Sequence, residues 1–433
     1  MGAAGTAGLL TAAGGYRILE GGAADAAAAL PRPGRSGIKH IVVVMMENRS
    51  FDHFLGWLPQ VNPLADGKQA GLSYLDRYRV PHATHHLTEF ASCGFQDPDH
   101  SYEGGRIQLN RGACNGWLRS GLNDSLSIGY FERADLQFLG QAVPGWTTFD
   151  RYFSAVMAET YPNRFYLHCA RTDRLHNGDK PLDAPFRLRT IWDRLKAKGV
   201  SGKYYFSDIP FTFLLKSHAP ASARVGDPAA PLAGTFFADA AAGTLPAVSF
   251  VDPQFLNEDN GLSNDDHPHA DVRAGEVFMN QVYDAVRHGP GWKHTVLVIT
   301  YDEWGGFFDH VPPGHAADVS RKTSLRGFRV PTVVISPFAR RGYVSHASFD
   351  HTSILKMIEW RWGLKPLTPR DRDARNLARV LDFENPDTSS PTYVVDPFVT
   401  AGCSAAAETS GAEFAEWGPL KRAARAEGWD VPR

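Results

Sequence analysis

A mainly parallel β-sheet covered by helices on both faces is the fold the sequence predicts, on three observations. Several short apolar runs rich in Ile and Val have the length and composition of strands buried on both sides. Segments of helical or turn-rich character separate these runs, the alternation that builds parallel sheets. Two of the runs end abruptly on carboxylates, Glu47 after one and Asp302-Glu303 after another, and in open α/β sheets ligands gather beyond the carboxyl ends of the strands.

Residues 1–35 are read apart from the rest. Their glycine- and alanine-rich composition before Pro31-Arg32-Pro33-Gly34 is that of an export-signal-like or flexible segment, although a basic leading region is missing. The expectation is an exported protein with a single domain over residues 36–433. Ile38 to Val44 is the first buried strand, and it delivers Glu47 and Asn48. Residues 59–135 are rich in Gly, Pro, His and aromatics with little periodicity, and such long irregular connections are usually functional. His100 falls there in a turn. Pro162 at the start of a helical pattern places Thr160 at or just before a helix N-terminus, where free N–H groups and the helix dipole favour an anion. Strands follow at 201–207 and 245–251, then a polar loop at 257–271 that carries His267 and His269, and then a helix at 272–287. Thr295 to Thr300 is another buried strand, ending at Asp302-Glu303 with His310 further on. A strand at 330–336 precedes a helix that opens at His351 and runs to about residue 362. From about Pro366 the chain is charged, loop-rich and poor in site-like residues.

Hydrophobic residues make up 43% of the 433 and charged residues 21%, as in an ordinary soluble globular protein. The formal charge of −2 argues against a nucleic-acid partner, which calls for a basic excess or stripe. No run reaches the roughly 18 apolar residues of a transmembrane segment. The four cysteines lack metal-binding spacing. Cys93 and Cys114 flank one polar segment and are a candidate disulfide pair, whereas Cys169 reads as a small core residue.

Glu47, Asn48, Asp302 and Glu303 offer oxygen donors for one divalent ion, which would lower the pKa of a coordinated Thr160 hydroxyl and stabilise charge on a phosphoryl oxygen. Oxygen ligation without cysteine favours Ca²⁺ or Mg²⁺, with Zn²⁺, Mn²⁺ and iron also admitted. Histidines around that centre suit phosphate binding or protonation of a leaving alkoxide. These are the parts of a phosphoryl-transfer site.

The segments at 45–57 (MMENRSFDHFLGW), 97–102 (DPDHSY), 160–164 (TYPNR), 263–276 (SNDDHPHADVRAGE), 299–313 (ITYDEWGGFFDHVPP) and 350–360 (DHTSILKMIEW) resemble, in order, the bacterial phospholipase C and acid phosphatase phosphoesterases, and are similar also to plant non-specific phospholipases C. The first and fifth are the specific ones. The resemblance implies an alkaline-phosphatase-like α/β fold, metal-assisted hydrolysis and a transiently phosphorylated hydroxyl. It implies Glu47, Asn48, Thr160, Asp302 and Glu303 around the metal, Thr160 as nucleophile, and His310 and His351 in acid–base steps. His100 and His267 would bind phosphate, as would His269, which stands one position from where a second histidine often occurs. Asp-Glu before Trp-Gly-Gly resembles the phospholipase branch.

The leading expectation is a phospholipase C that acts on phospholipids, with peripheral membrane contact compatible with that role. The rivals are an acid phosphatase and a non-catalytic surface or binding protein on the same fold. Trp57, Trp117, Trp146 and Trp304 either line an aromatic pocket for a quaternary ammonium or pack in the core.

Overall fold

Seven buried or nearly buried residues in a row, His40–Met46, form the strand at the middle of an eight-stranded sheet. Its β-branched run is apolar on both faces because parallel neighbours flank it and other elements cover both sides. The computed structural model describes residues 29–403, 417–429 and 431. The export-signal-like reading therefore lies, for residues 1–28, outside the described residues.

In chain order the strands are β1 (His40–Met46), β2 (Thr147–Phe149), β3 (Gly202–Phe206), β4 (Ala221–Arg224), β5 (Val248–Asp252), β6 (Thr295–Tyr301), β7 (Thr332–Ile335) and β8 (Val344–Ser345). Across the sheet they run β8-β2-β7-β6-β1-β5-β3-β4. β1 is parallel to β5 and β6, β5 to β3, and β3 to β4, whereas β7 is antiparallel to both β6 and β2. The connection from Tyr301 to Thr332 contains no helix to carry the chain back across a sheet face. β7 therefore re-enters from the end at which β6 left, an antiparallel insertion in a mainly parallel sheet.

The helices that matter to the site are α1 (Phe51–Leu55), α2 (Tyr102–Leu109), α3 (Thr160–Cys169), α4 (Val272–His288), α5 (His351–Trp362) and α6 (Trp417–Ala426). Asp350 caps α5 by accepting from Thr352 N at 2.9 Å, and Gly363 ends it in the left-handed region at φ 64°. α3 begins at Thr160 itself with Glu159 as its N-cap, so Pro162 occupies the first turn, as the sequence predicts.

One expectation is corrected. Cys93 pairs with Cys403, not Cys114, with Cα atoms 5.5 Å apart. Cys114 is free and buried in a separate cluster with Trp117, Trp304 and Phe328, while Cys403 is brought to the loop by its N–H to Asn260 O at 2.8 Å. The tail beyond Pro366 also contributes to packing: Leu377, Val380, Leu381 and Tyr393 enter the main core, and Trp417 stacks on Phe255 with ring centroids 4.2 Å apart. Of the two readings of Trp57, Trp117, Trp146 and Trp304, core packing is the one the structure bears out, since all four are at most 1% exposed.

Candidate active site

Parallel register brings the two acidic strand ends together. Met46 lies opposite Tyr301, so the residues that follow each strand meet. Asp302 N donates to Met46 O at 3.0 Å, and Asp302 Oδ1 accepts from Asn48 N at 3.1 Å and from Glu303 N at 2.7 Å. Asn48 turns the chain at a left-handed φ of 58°. An ideal Cβ at Gly305 would collide with the Asn48 carbonyl oxygen, which is why the Glu303-Trp304 step continues with glycine.

Arg164 from α3 is buried among three carboxylates. Its Nη2 and Nε donate to Glu47 Oε1 at 3.0 and 3.2 Å, its Nη1 donates to Asp252 Oδ2 at 3.2 Å, and Nε lies 3.6 Å from Asp302 Oδ2. Burial works against its charge, but the carboxylates outweigh that and raise its pKa above the ordinary value. Phe255 and Trp417 lie 4.6 and 6.0 Å from the guanidinium. Thr160, one helical turn before Arg164, shares its face of α3. The Thr160 hydroxyl, Asn48 Oδ1 and Asp302 Oδ2 are buried with no hydrogen-bond partner.

The histidines divide. His100 Nδ1 donates to Pro98 O at 2.8 Å, so its Nε2 accepts from Asn48 Nδ2 at 3.4 Å; it also lies 3.9 Å from Glu303 Oε1. His267 is 6.0 Å from His100 between ring centroids, and one of its nitrogens lies within 4.8 Å of carboxylate oxygens of Glu47 and Glu258. His351 Nε2 donates to Asp302 O at 2.6 Å, which leaves its buried Nδ1 without a partner. Burial holds His267 well below its ordinary pKa and brings His351 down to about 4, so both rings are neutral as the protein stands. His269 is engaged elsewhere, with Nε2 donating to Phe95 O at 2.9 Å.

His310 is not brought to this constellation. Its Nδ1 meets Asp52 Oδ2 at 2.5 Å and its Nε2 meets Asp66 Oδ1 at 2.9 Å. Burial opposes its charge, yet the two carboxylates prevail and push its pKa up to about 9. Beside it, buried Arg329 donates to Asp309 and Asp52 at 2.9 and 3.0 Å, and to the carbonyls of Asp66 and Asp150. Of the two histidines expected in acid–base steps, His351 reaches the strand-end groups and His310 is held in a second charge cluster.

Sequence reasoning missed Arg164, Asp252 and Glu258. Signals for the first two were present: Arg164 stands four residues after Thr160 on one helix, and Asp252 closes an apolar strand just as Glu47 and Asp302 follow theirs. Glu258 had no such signal, being one acid in a polar loop.

The donor set suits a hard divalent cation, since the strand-end groups are all oxygen donors and three of the candidate ligand atoms are buried without a hydrogen-bond partner. Fold and site together define an α/β protein that gathers carboxylates, an amide and a hydroxyl beyond the carboxyl ends of its parallel strands. The chain belongs to the Phosphoesterase family, whose model matches residues 38–365. It is 35% identical to non-specific phospholipase C1 of Arabidopsis thaliana over 371 residues, 77% of this chain and 69% of that protein. It is 30% identical to phospholipase C A of Mycobacterium tuberculosis over 445 residues, 86% of this chain and 82% of that protein. A solved protein of the alkaline phosphatase superfamily from Vibrio parahaemolyticus is similar with a TM-score of 0.39 and 10% identity, over 79% of this chain and 70% of that one. The protein is a hydrolase of phosphoester bonds with phospholipase C-type relatives.

Proposed function

We propose that this protein is a phospholipase C that cleaves phospholipids to diacylglycerol and a phosphorylated head group through a covalent phospho-threonine. The observation that carries this reading is the Thr160 hydroxyl, buried without a partner at the start of α3 and sharing a helix face with the arginine that holds Glu47. Glu47, Asn48, Thr160, Asp302 and Glu303 would hold a divalent ion that, when bound, acidifies the hydroxyl and stabilises charge on the phosphoryl oxygens. Ca²⁺ or Mg²⁺ suits these oxygen donors best.

Thr160 Oγ attacks phosphorus and loses its proton, the phosphorus–oxygen bond to the glycerol breaks, and the departing alkoxide takes up a proton as diacylglycerol. Water then attacks the threonyl phosphodiester, breaks its bond to Oγ and releases the phosphorylated head group, returning the proton to Thr160. His267 and His351 are kept neutral by burial, and the negative phosphate raises the proton affinity of the histidines around it as it enters. They thereby become donors to phosphate oxygens and, at His351, to the alkoxide. Arg164 and Asn48 hold the carboxylates and His100 in place. The Cys93–Cys403 disulfide supports an exported protein folded in an oxidising compartment.

The test is rapid-quench intact-mass analysis with phosphatidylcholine as substrate. A phosphate-linked adduct mapping to Thr160, and loss of nearly all turnover in Thr160→Ala, are expected. Turnover of Thr160→Ala near the parent rate would remove the covalent route, and hydrolysis of p-nitrophenyl phosphate but not phosphatidylcholine would make the protein a phosphomonoesterase.

A further inference from the structure

A short antiparallel hairpin stands out from the connection that the sequence marks as functional. Ser73–Leu75 pairs with Pro81–Ala83, and between them the turn carries Arg77, Tyr78 and Arg79. Tyr78 is 81% exposed, and Leu75, Val80 and, on the adjoining segment, Leu122 are 46, 48 and 54% exposed. Large apolar side chains this open to water, clustered and flanked by arginines, mark an interaction surface.

The tip is stiff and its foot rests on the site. Asp76 Oδ1 accepts from the N–H groups of Tyr78 and Val80, both at 2.8 Å, which holds the turn; its other oxygen faces His82 at 3.1 Å. Arg77 Nη2 donates to Gly121 O at 2.9 Å, which joins Leu122 to the same patch. Beneath, buried Tyr74 belongs to the cluster of Trp117, Trp304 and Phe308, and Trp304 directly follows Glu303. Asn123, next to Leu122, accepts from Asp99 N at 2.7 Å, one residue from His100. The patch is thus continuous with the loops that carry His100 and Glu303.

We infer that this hairpin, with Leu122, is the surface by which the protein docks on an anionic phospholipid bilayer, an inference that rests on the phospholipase C reading. The chemistry is that of an interfacial anchor: a tyrosine at headgroup depth, aliphatic side chains reaching the acyl boundary, and two arginines for lipid phosphates. Residues 73–83 carry Arg77 and Arg79 against one carboxylate, Asp76, which the N–H groups of Tyr78 and Val80 engage, a local excess of positive charge on a chain of net charge −2 that favours an anionic leaflet.

The test compares the parent full chain with Tyr78→Ser and with the double variant Arg77→Ser, Arg79→Ser. The readouts are flotation with vesicles of phosphatidylcholine plus phosphatidylglycerol and turnover of monomeric short-chain phosphatidylcholine. The double variant is expected to lose roughly 25-fold in partitioning, about fivefold per arginine, the parent to lose binding in high salt, and turnover of the monomeric substrate to stay unchanged in all. A parent that does not float with these vesicles, or variants that float as the parent does, would overturn the inference. So would a parent that dimerises through this patch and variants that do not. Absence of turnover on the monomeric substrate in the parent would instead overturn the phospholipase reading, while flotation still decides the docking surface.

Discussion

Arg164 and Arg329 are both buried among carboxylates, and their surroundings differ in one respect. Around Arg329 every carboxylate oxygen of Asp52 and Asp309 has a donor: Lys68 N and Arg329 on Asp52 Oδ1, the backbone and ring of His310 on Asp52 Oδ2, and Val311 N, Asp52 N and Arg329 on Asp309. Around Arg164 the neighbouring Asn48 Oδ1, Thr160 Oγ1, Asp302 Oδ2 and His351 Nδ1 are left without hydrogen-bond partners. Buried polar groups are ordinarily satisfied, and leaving one unmade costs about 1–3 kcal/mol. A fully satisfied cluster is scaffold, and a cluster that keeps several lone pairs in reserve is a place for chemistry.

The largest expected effect is on the satisfied cluster. Arg329→Met strands Asp52 and Asp309 in the interior and should lower stability by about 3–5 kcal/mol, with or without divalent cation, as read by chemical denaturation. Arg164→Met also strands buried carboxylates, but an added divalent cation should recover a substantial part of its deficit, because the cation supplies the missing positive charge. Equal deficits with and without cation would erase the distinction between the two clusters. A smaller effect comes from His310. Its pKa rises from 6.5 in the unfolded chain to about 9 in the fold, so protonated His310 stabilises the fold. That contribution is fully present below about pH 6.5 and fades as pH rises through about 9. The decline across that window should flatten in His310→Gln. The smallest effect is the most informative: Thr160→Ala should change stability by less than about 1 kcal/mol, since the hydroxyl makes no hydrogen bond to lose. A loss of several kcal/mol would mean that Thr160 belongs to the scaffold.

The sheet and the strand-end acids were legible in the sequence because both depend on patterns within a few residues. An Ile-Val run predicts a two-sided buried strand, and the polar residue that ends it is placed by that alone. Arg164 was not legible in the same way. The helix start at Thr160 could be read, but what lies across from the fourth residue depends on how α3 docks on β1 and β5. Asp252 obeyed the strand-end rule and was passed over because Pro253 follows it, where Asn48 and Glu303 supply a second oxygen ligand beside Glu47 and Asp302. His310 and His351 are alike as histidines near the site in sequence. Only tertiary packing puts one against the Asp302 carbonyl and the other between Asp52 and Asp66. The partner of Cys93 was not legible for the same reason, since nearness along the chain, which made Cys114 the candidate, says little about where a distant tail returns.

That returning tail has a topological consequence. Cys93 and Cys403 are 310 residues apart in sequence, so the bond closes most of the chain, including Thr160 and the strand end at Asp302-Glu303, into a covalent ring, while Glu47 and Asn48 lie outside it on the N-terminal side. A protease that cuts any surface loop within the ring opens it without parting the fragments, and the nicked protein migrates as one species until a reductant is added. Cutting outside the ring instead shortens the molecule at once, and α6 with Trp417 lies on that outer side.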